Sequence, residues 1–134
     1  MTDQGDRPTP ESAPVTAVPI LELSGVLVVS IQVELSDTDV ELLQQRLLER
    51  VTATRGRSLV IDISAMDIVD SYFCRILRDT AKMAQLMGAT TVVSGIRPAV
   101  AITLTELGLE LHGVTTAMSL DSALTLLTER HVDA

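Results

Sequence analysis

The spacing of apolar residues changes character several times along this chain, and each change marks an element. Ile20, Leu21 and Leu23 predict a short strand, Ser24-Gly25 a turn, and Val26–Val33 a second strand, so the two read as a hairpin. Ser36 or Asp37 suits a helix cap, and Val40, Leu43, Leu47 and Val51 then recur at helical spacing until Arg55-Gly56. Leu59–Ile63 is a continuous apolar run, the pattern of a strand covered on both faces. A second helix is predicted from Ser71 to Met87, stopped by Gly88, followed by a strand at Thr91–Ser94. Pro98 fits the first turn of a third helix that runs to Leu107 and ends at Gly108. A weak strand near Val114–Met118 and a last helix from about Leu120 to Arg130, with Ser119 as cap, complete the order ββαβαβαβα. That order predicts an α/β fold, a mainly parallel mixed sheet with flanking helices, right-handed crossovers and one antiparallel edge.

Residues 1–18 hold three of the five prolines and no core-forming pattern, so a disordered Pro-rich tail is expected there and one domain over 19–134. On the second helix, at ~100° per residue, Phe73, Ile76, Leu77, Thr80, Met83, Ala84 and Met87 share a broad face expected to dock on the sheet. Ser71, Arg75, Arg78 and Lys82 form a narrow stripe opposite, with Asp79 off to one side. This face is either a solvated surface or a partner surface.

Composition narrows the function. Apolar residues make up 46% of the 134, enough for one core, and with one Tyr, one Phe and no Trp that core is aliphatic. A net charge of −8 argues against nucleic acid and against an anionic membrane surface. No apolar stretch approaches the ~20 residues of a membrane span. The single cysteine, Cys74, excludes an internal disulfide and fits a reducing cytoplasm. Its place one turn into the helix suits a packed thiol better than a reactive one.

No complete catalytic set is present. His112 and His131 have no metal-ligand partner at helical or hairpin spacing and read as surface residues. There is no G-x-S-x-G, no G-x-G-x-x-G and no Walker loop. Gly95-Ile96-Arg97-Pro98 precedes a helix start, where an ordinary strand–helix turn is favoured over an anion site. No cofactor or metal is expected, and the chain reads as acted upon rather than acting. The informative segment is Ser58–Ser71, SLVIDISAMDIVDS. It sets Asp70 as helix cap and Ser71 on the first turn of a helix, at the exit of a core strand. That suits either an ordinary capped helix or an exposed phosphoacceptor.

LVIDISAMDIVDS, together with the element order, resembles STAS domains, the family of anti-sigma factor antagonists and of the cytoplasmic domains of sulfate transporters. PILELSGVLVVSIQVELSD, LMGATTVVSGIRP and AVAITLTELGLEL are similar to the family's stressosome branch, of the RsbS type. The resemblance implies a non-enzymatic cytoplasmic antagonist that sequesters a serine/threonine switch kinase of the RsbT type. It implies phosphorylation on Ser71, resetting by a phosphatase, assembly with RsbR-like STAS proteins in a large complex, and self-association as a dimer. Thr103 matches a second phosphoacceptor of RsbR-like proteins, although a buried or capping threonine fits equally. Asp67, Asp70, Arg75, Arg78 and Lys82 are the expected partner-binding residues around Ser71. Two alternatives remain: a free anti-sigma factor antagonist that binds an anti-sigma factor kinase, and a small enzyme or nucleotide-binding domain of flavodoxin-like shape.

Overall fold

The computed structural model describes residues 18–54, 58–108 and 114–133. The elements follow the expected order: β1 (Ile20–Leu23), β2 (Val26–Ser30), α1 (Asp37–Thr54), β3 (Ser58–Asp62), α2 (Ser71–Leu86), β4 (Thr90–Ser94), α3 (Pro98–Glu106), β5 (Thr115–Ala117) and α4 (Leu120–Asp133). The strands form one five-stranded sheet in the order β1-β2-β3-β4-β5. β1 runs antiparallel to β2, and every later pair is parallel. Ser24 (φ 52°) and Gly25 (φ 82°) turn the hairpin. Two successive positive φ values make the tight turn whose twist matches that of the strands it joins.

Strand alternation divides the core. Leu27, Val29, Leu59, Ile61 and Val93 face α1, α2 and α3, joined by Leu43, Leu47, Leu77 and Val100. Val26, Val28, Val60 and Val92 face Ala123 and Leu127 of α4. β3 is buried along its whole length, as the apolar run Leu59–Ile61 within it requires. Each such Val or Leu contributes about 1.5–3 kcal/mol when taken fully from water.

Three boundaries differ from expectation. β2 ends at Ser30 rather than Val33; Ile31 still turns inward and donates to the Asp62 carbonyl at 3.0 Å, but the chain then leaves the sheet to reach α1. α4 extends to Asp133. The segment expected as a tail lies outside the described residues up to position 17. Val18, however, is buried at 1% exposure. It continues the inward alternation of Ile20, and the carbonyls of both residues accept from Arg46 and Arg50 of α1. The packed domain therefore begins at least one residue earlier than composition suggested. His112 and the side chain of His131 also lie outside what the structure describes.

The α2 wheel is rotated from its expected setting. Phe73, Cys74, Leu77, Thr80, Ala81 and Ala84 are buried, whereas Met83 and Met87 stay partly exposed at 40% and 43%. The apolar period continues toward the end of the helix beyond the surface available to bury it. α1 and α2 meet through Gln44, whose side-chain amide donates to Thr80 Oγ1 at 3.0 Å.

Candidate functional site at the carboxyl edge of the sheet

Parallel strands deliver their carboxyl ends to one edge, so the loops after β2, β3, β4 and β5 gather there. The loop after β3 carries the sequence that ends in Asp70-Ser71. Its base is fixed by Asp62, a buried carboxylate at the last position of β3. Ser94 Oγ donates to Asp62 Oδ1 at 2.7 Å, and Ser64 Oγ to Oδ2 at 2.7 Å. Ser30 Oγ makes a longer contact with Oδ2 at 3.5 Å and accepts from Gln32 at 3.2 Å. The ends of β2, β3 and β4 thus converge on one charged group, which repays the cost of burying it. Gly95 (φ 75°) follows Ser94, and a Cβ there would lie 2.5 Å from Ser64 Cβ. The β3–α2 loop and the β4–α3 turn therefore touch backbone to backbone.

Asp70 caps α2 as expected. Its φ of −103° and ψ of 172° are extended, and its carboxylate accepts from the Phe73 amide at 2.8 Å. Ser71 is the first helical residue and is exposed. Its hydroxyl makes no hydrogen bond to the described residues. A free hydroxyl at a rigidly capped helix start is geometrically open to another protein's active site.

The other expected partner residues divide. Arg75 and Lys82 are exposed on α2. Arg78 is only partly exposed, and its Nε lies 3.5 Å from the Asp79 carboxylate. Asp79, expected off to one side of the stripe, partly offsets its middle member as an ion pair in which the Arg78 Nε makes no hydrogen bond to the described residues. Asp67 is also not a free acid: it pairs with Arg97, at the amino end of α3. Thr103 is partly exposed mid-helix, and its hydroxyl donates to the Ala99 carbonyl at 3.1 Å. It is a back-bonded helical threonine rather than a buried or capping one.

A groove of about 260 Å³ lies between the β2–α1 and β3–α2 loops. Gln32, Val33, Glu34, Met66, Asp67 and Ile68 line it. Ile68 is 85% exposed two residues before the Asp70 cap. An adjoining hollow of about 110 Å³ takes in Asp37, Val69, Asp70 and Phe73. The edge thus combines acidic groups with an unshielded aliphatic side chain. Of these residues only Asp67 and Asp70 stood out in the sequence. Asp62 carried a signal, a carboxylate ending an otherwise apolar strand. Ile68 carried none, and Arg97 stood out only within the Gly95–Pro98 turn, not as a partner of Asp67.

Two titrating groups border the site. The carboxylate of Glu41, facing the Tyr72 hydroxyl across α1 and α2, pushes the tyrosine pKa up to about 12, with desolvation and the charge of Asp37 adding to the effect. Burial pushes the Cys74 thiol pKa up, and Asp70 adds to the effect. The thiol is 1% exposed and is not a nucleophile in this setting.

The chain's relatives share this architecture. The profile of the STAS domain matches residues 17–123. A serine-to-glutamate variant of RsbS from Moorella thermoacetica superposes with a TM-score of 0.77 at 43% identity, covering 85% of this chain and 97% of that one. A chain of the structure entitled "Molecular architecture of the stressosome, a signal integration and transduction hub" superposes with a TM-score of 0.72 at 41% identity, covering 84% and 98%. RsbRD of Bacillus subtilis, an RsbT co-antagonist protein, is 32% identical over 109 residues, covering 81% of this chain but 39% of its own length. The chain therefore spans about two-fifths of that relative. No helix among the described residues is long and apolar enough to cross a membrane. With the profile spanning the whole sheet and the superpositions covering both partners almost end to end, the chain belongs to the STAS domain family.

Proposed function

We propose that this chain is a non-enzymatic antagonist that holds an RsbT-type switch kinase at the carboxyl edge of its sheet and releases it when Ser71 is phosphorylated. The observation that carries the reading is the exposed, unbonded Ser71 hydroxyl on a helix capped by Asp70, at the end of a loop whose Asp67 and exposed Ile68 line a groove. The likeness to RsbS and to a stressosome chain, and to a relative named as an RsbT co-antagonist, supports an STAS regulator of the anti-sigma antagonist kind. It also supports assembly with RsbR-like STAS proteins in a large complex; on this reading a phosphatase resets the serine and the chain dimerises within the complex.

The physics favours release without refolding. A phosphate on Ser71 adds roughly −1.5 to −2 charge. Asp70 repels it, while the amino end of α2 offsets this by about 0.3–1 kcal/mol. Arg75, one turn on and exposed, adds ~0–1 kcal/mol as a surface pair. These opposing effects are small and nearly balance, so the domain keeps its fold. At the interface a desolvated phosphate meets a surface built for a neutral hydroxyl, and each 1.4 kcal/mol lost there is about tenfold in affinity. Exposed Arg75 and Lys82, with the partly neutralised Arg78, supply a cationic flank for an acidic region of the kinase or of a neighbouring STAS subunit.

The test is co-elution on a sizing column of the full chain, an RsbT-type kinase and RsbR-like proteins. Wild type and Ser71→Ala should retain the kinase in large particles. Ser71→Asp should lose part of it, since one carboxylate carries less charge than phosphate. A kinase that never co-elutes with any variant would contradict the reading. Tight one-to-one binding with no large particle would match a free anti-sigma factor antagonist instead.

A further inference from the structure

We infer that Arg97 is a positioning residue for the phosphoacceptor loop: through its ion pair with Asp67 it sets the geometry in which a kinase meets Ser71. The inference rests on the reading of Ser71 above and concerns how that same site is regulated. Two contacts join the β3–α2 loop to the end of β4 and its turn, and a third holds that turn in place. Asp62 takes one hydroxyl from each side, Ser64 from the loop and Ser94 from the end of β4. The missing side chain of Gly95 lets the turn press against Ser64. The Gly95 amide donates to the Ala117 carbonyl at 3.1 Å, which holds the turn against β5. These contacts secure the base of the loop only. Farther out, Ala65, Asp67 and Ile68 are exposed. The ion pair of Asp67 with Arg97 ties this outer stretch to a residue 30 positions away. Ile68 follows Asp67 directly, and the Asp70 cap comes two residues later.

The pair is itself exposed, with side chains 69% and 51% accessible for Asp67 and Arg97. A pair of that kind adds little to global stability. What it fixes is where Asp67 and the exposed Ile68, just before the capped start of α2, stand relative to an incoming protein. Misplacing a reacting group by about 1 Å can cost on the order of a hundredfold in rate. A residue with no contact to the kinase can therefore govern phosphorylation of Ser71.

The experiment combines hydrogen exchange with kinetics on the full chain. R97A, R97D, D67R and the double swap D67R/R97D are compared with wild type. Amide exchange is followed in peptides spanning residues 64–73, and Ser71 phosphorylation by an RsbT-type kinase with ATP is followed as kcat and KM. The single variants should raise exchange in that loop, leave exchange in the sheet and α1 unchanged, and lower kcat/KM by about ten- to a hundredfold. The double swap should restore both loop protection and kcat/KM to within about twofold of wild type. Direct contact of either charge with the kinase predicts no such rescue, because the swap leaves each charge in the wrong place. Unchanged loop exchange in the single variants, or a double swap no better than they are, overturns the inference. If the wild-type chain is not phosphorylated on Ser71, the proposed function falls instead, and loop exchange alone then decides the role of Arg97.

Discussion

The hydroxyl of Ser94 donates to the buried carboxylate of Asp62 at 2.7 Å, joining the carboxyl ends of β4 and β3 directly beneath the phosphoacceptor loop. Removing the acceptor leaves Ser94, which is 0% exposed, with a stranded donor. Asp62→Ala should therefore cost about 1–3 kcal/mol, a fall in melting temperature of roughly 4 °C per kcal/mol for a domain between the 60–100- and 150–250-residue classes. Asp62→Asn, which keeps an acceptor oxygen, should lose less. Thermal unfolding of the two variants beside wild type checks the order, and equal losses would contradict the hub.

Thr91 is the opposite case. It is 2% exposed, and its hydroxyl finds no partner among the described residues. Thr91→Val keeps the branched shape and removes a desolvated donor, so it should stabilise by about 1 kcal/mol. A melting temperature no higher than wild type would mean the hydroxyl is satisfied in solution.

Much of this architecture is legible in the sequence, for local reasons. The largely apolar run Leu59–Ile63 is a doubly covered strand, the Asp70-Ser71 pair is a helix start, and Ser24-Gly25 is a hairpin turn. All three depend on near neighbours. The end of β2 was not legible, because Ile31 and Val33 continue an apolar pattern after the backbone has left the sheet. The burial of Val18 was hidden by the Pro-rich composition on its amino side. Met83 and Met87 were assigned to the docking face because helical periodicity carries no information about where the packing surface stops. The site followed the same division. Ser71 and its cap were readable, but the Asp67–Arg97 pair and the Asp62–Ser94 bond join residues about thirty positions apart, and only the sheet brings them together.

Tyr72 offers a spectroscopic check on the junction of α1 and α2. It is the only tyrosine and there is no tryptophan, so absorbance near the phenolate band reports this residue alone. The midpoint should lie near 12 rather than at the ordinary 10.0. Glu41→Gln removes the charge and should bring it back toward the ordinary value. For stability the sign follows from proton binding. Between those two pH values the folded chain holds the Tyr72 proton more tightly than the unfolded one. The Tyr72 contribution is thus fully present below about pH 10 and is lost as pH rises through about 12. A midpoint at the ordinary value in the folded protein would contradict the Glu41 carboxylate facing Tyr72.

The central claim is that Ser71 is the phosphoacceptor and that its modification releases the kinase. The most direct measurement incubates the full chain with an RsbT-type kinase and ATP, maps the phosphate by mass spectrometry, and follows kinase retention in the same samples. The account predicts phosphate on Ser71, with retained kinase falling in step with its occupancy, and little modification of Thr103, whose hydroxyl is bonded to the Ala99 carbonyl. Phosphate solely at other residues, or full Ser71 occupancy with the kinase still bound, would contradict it.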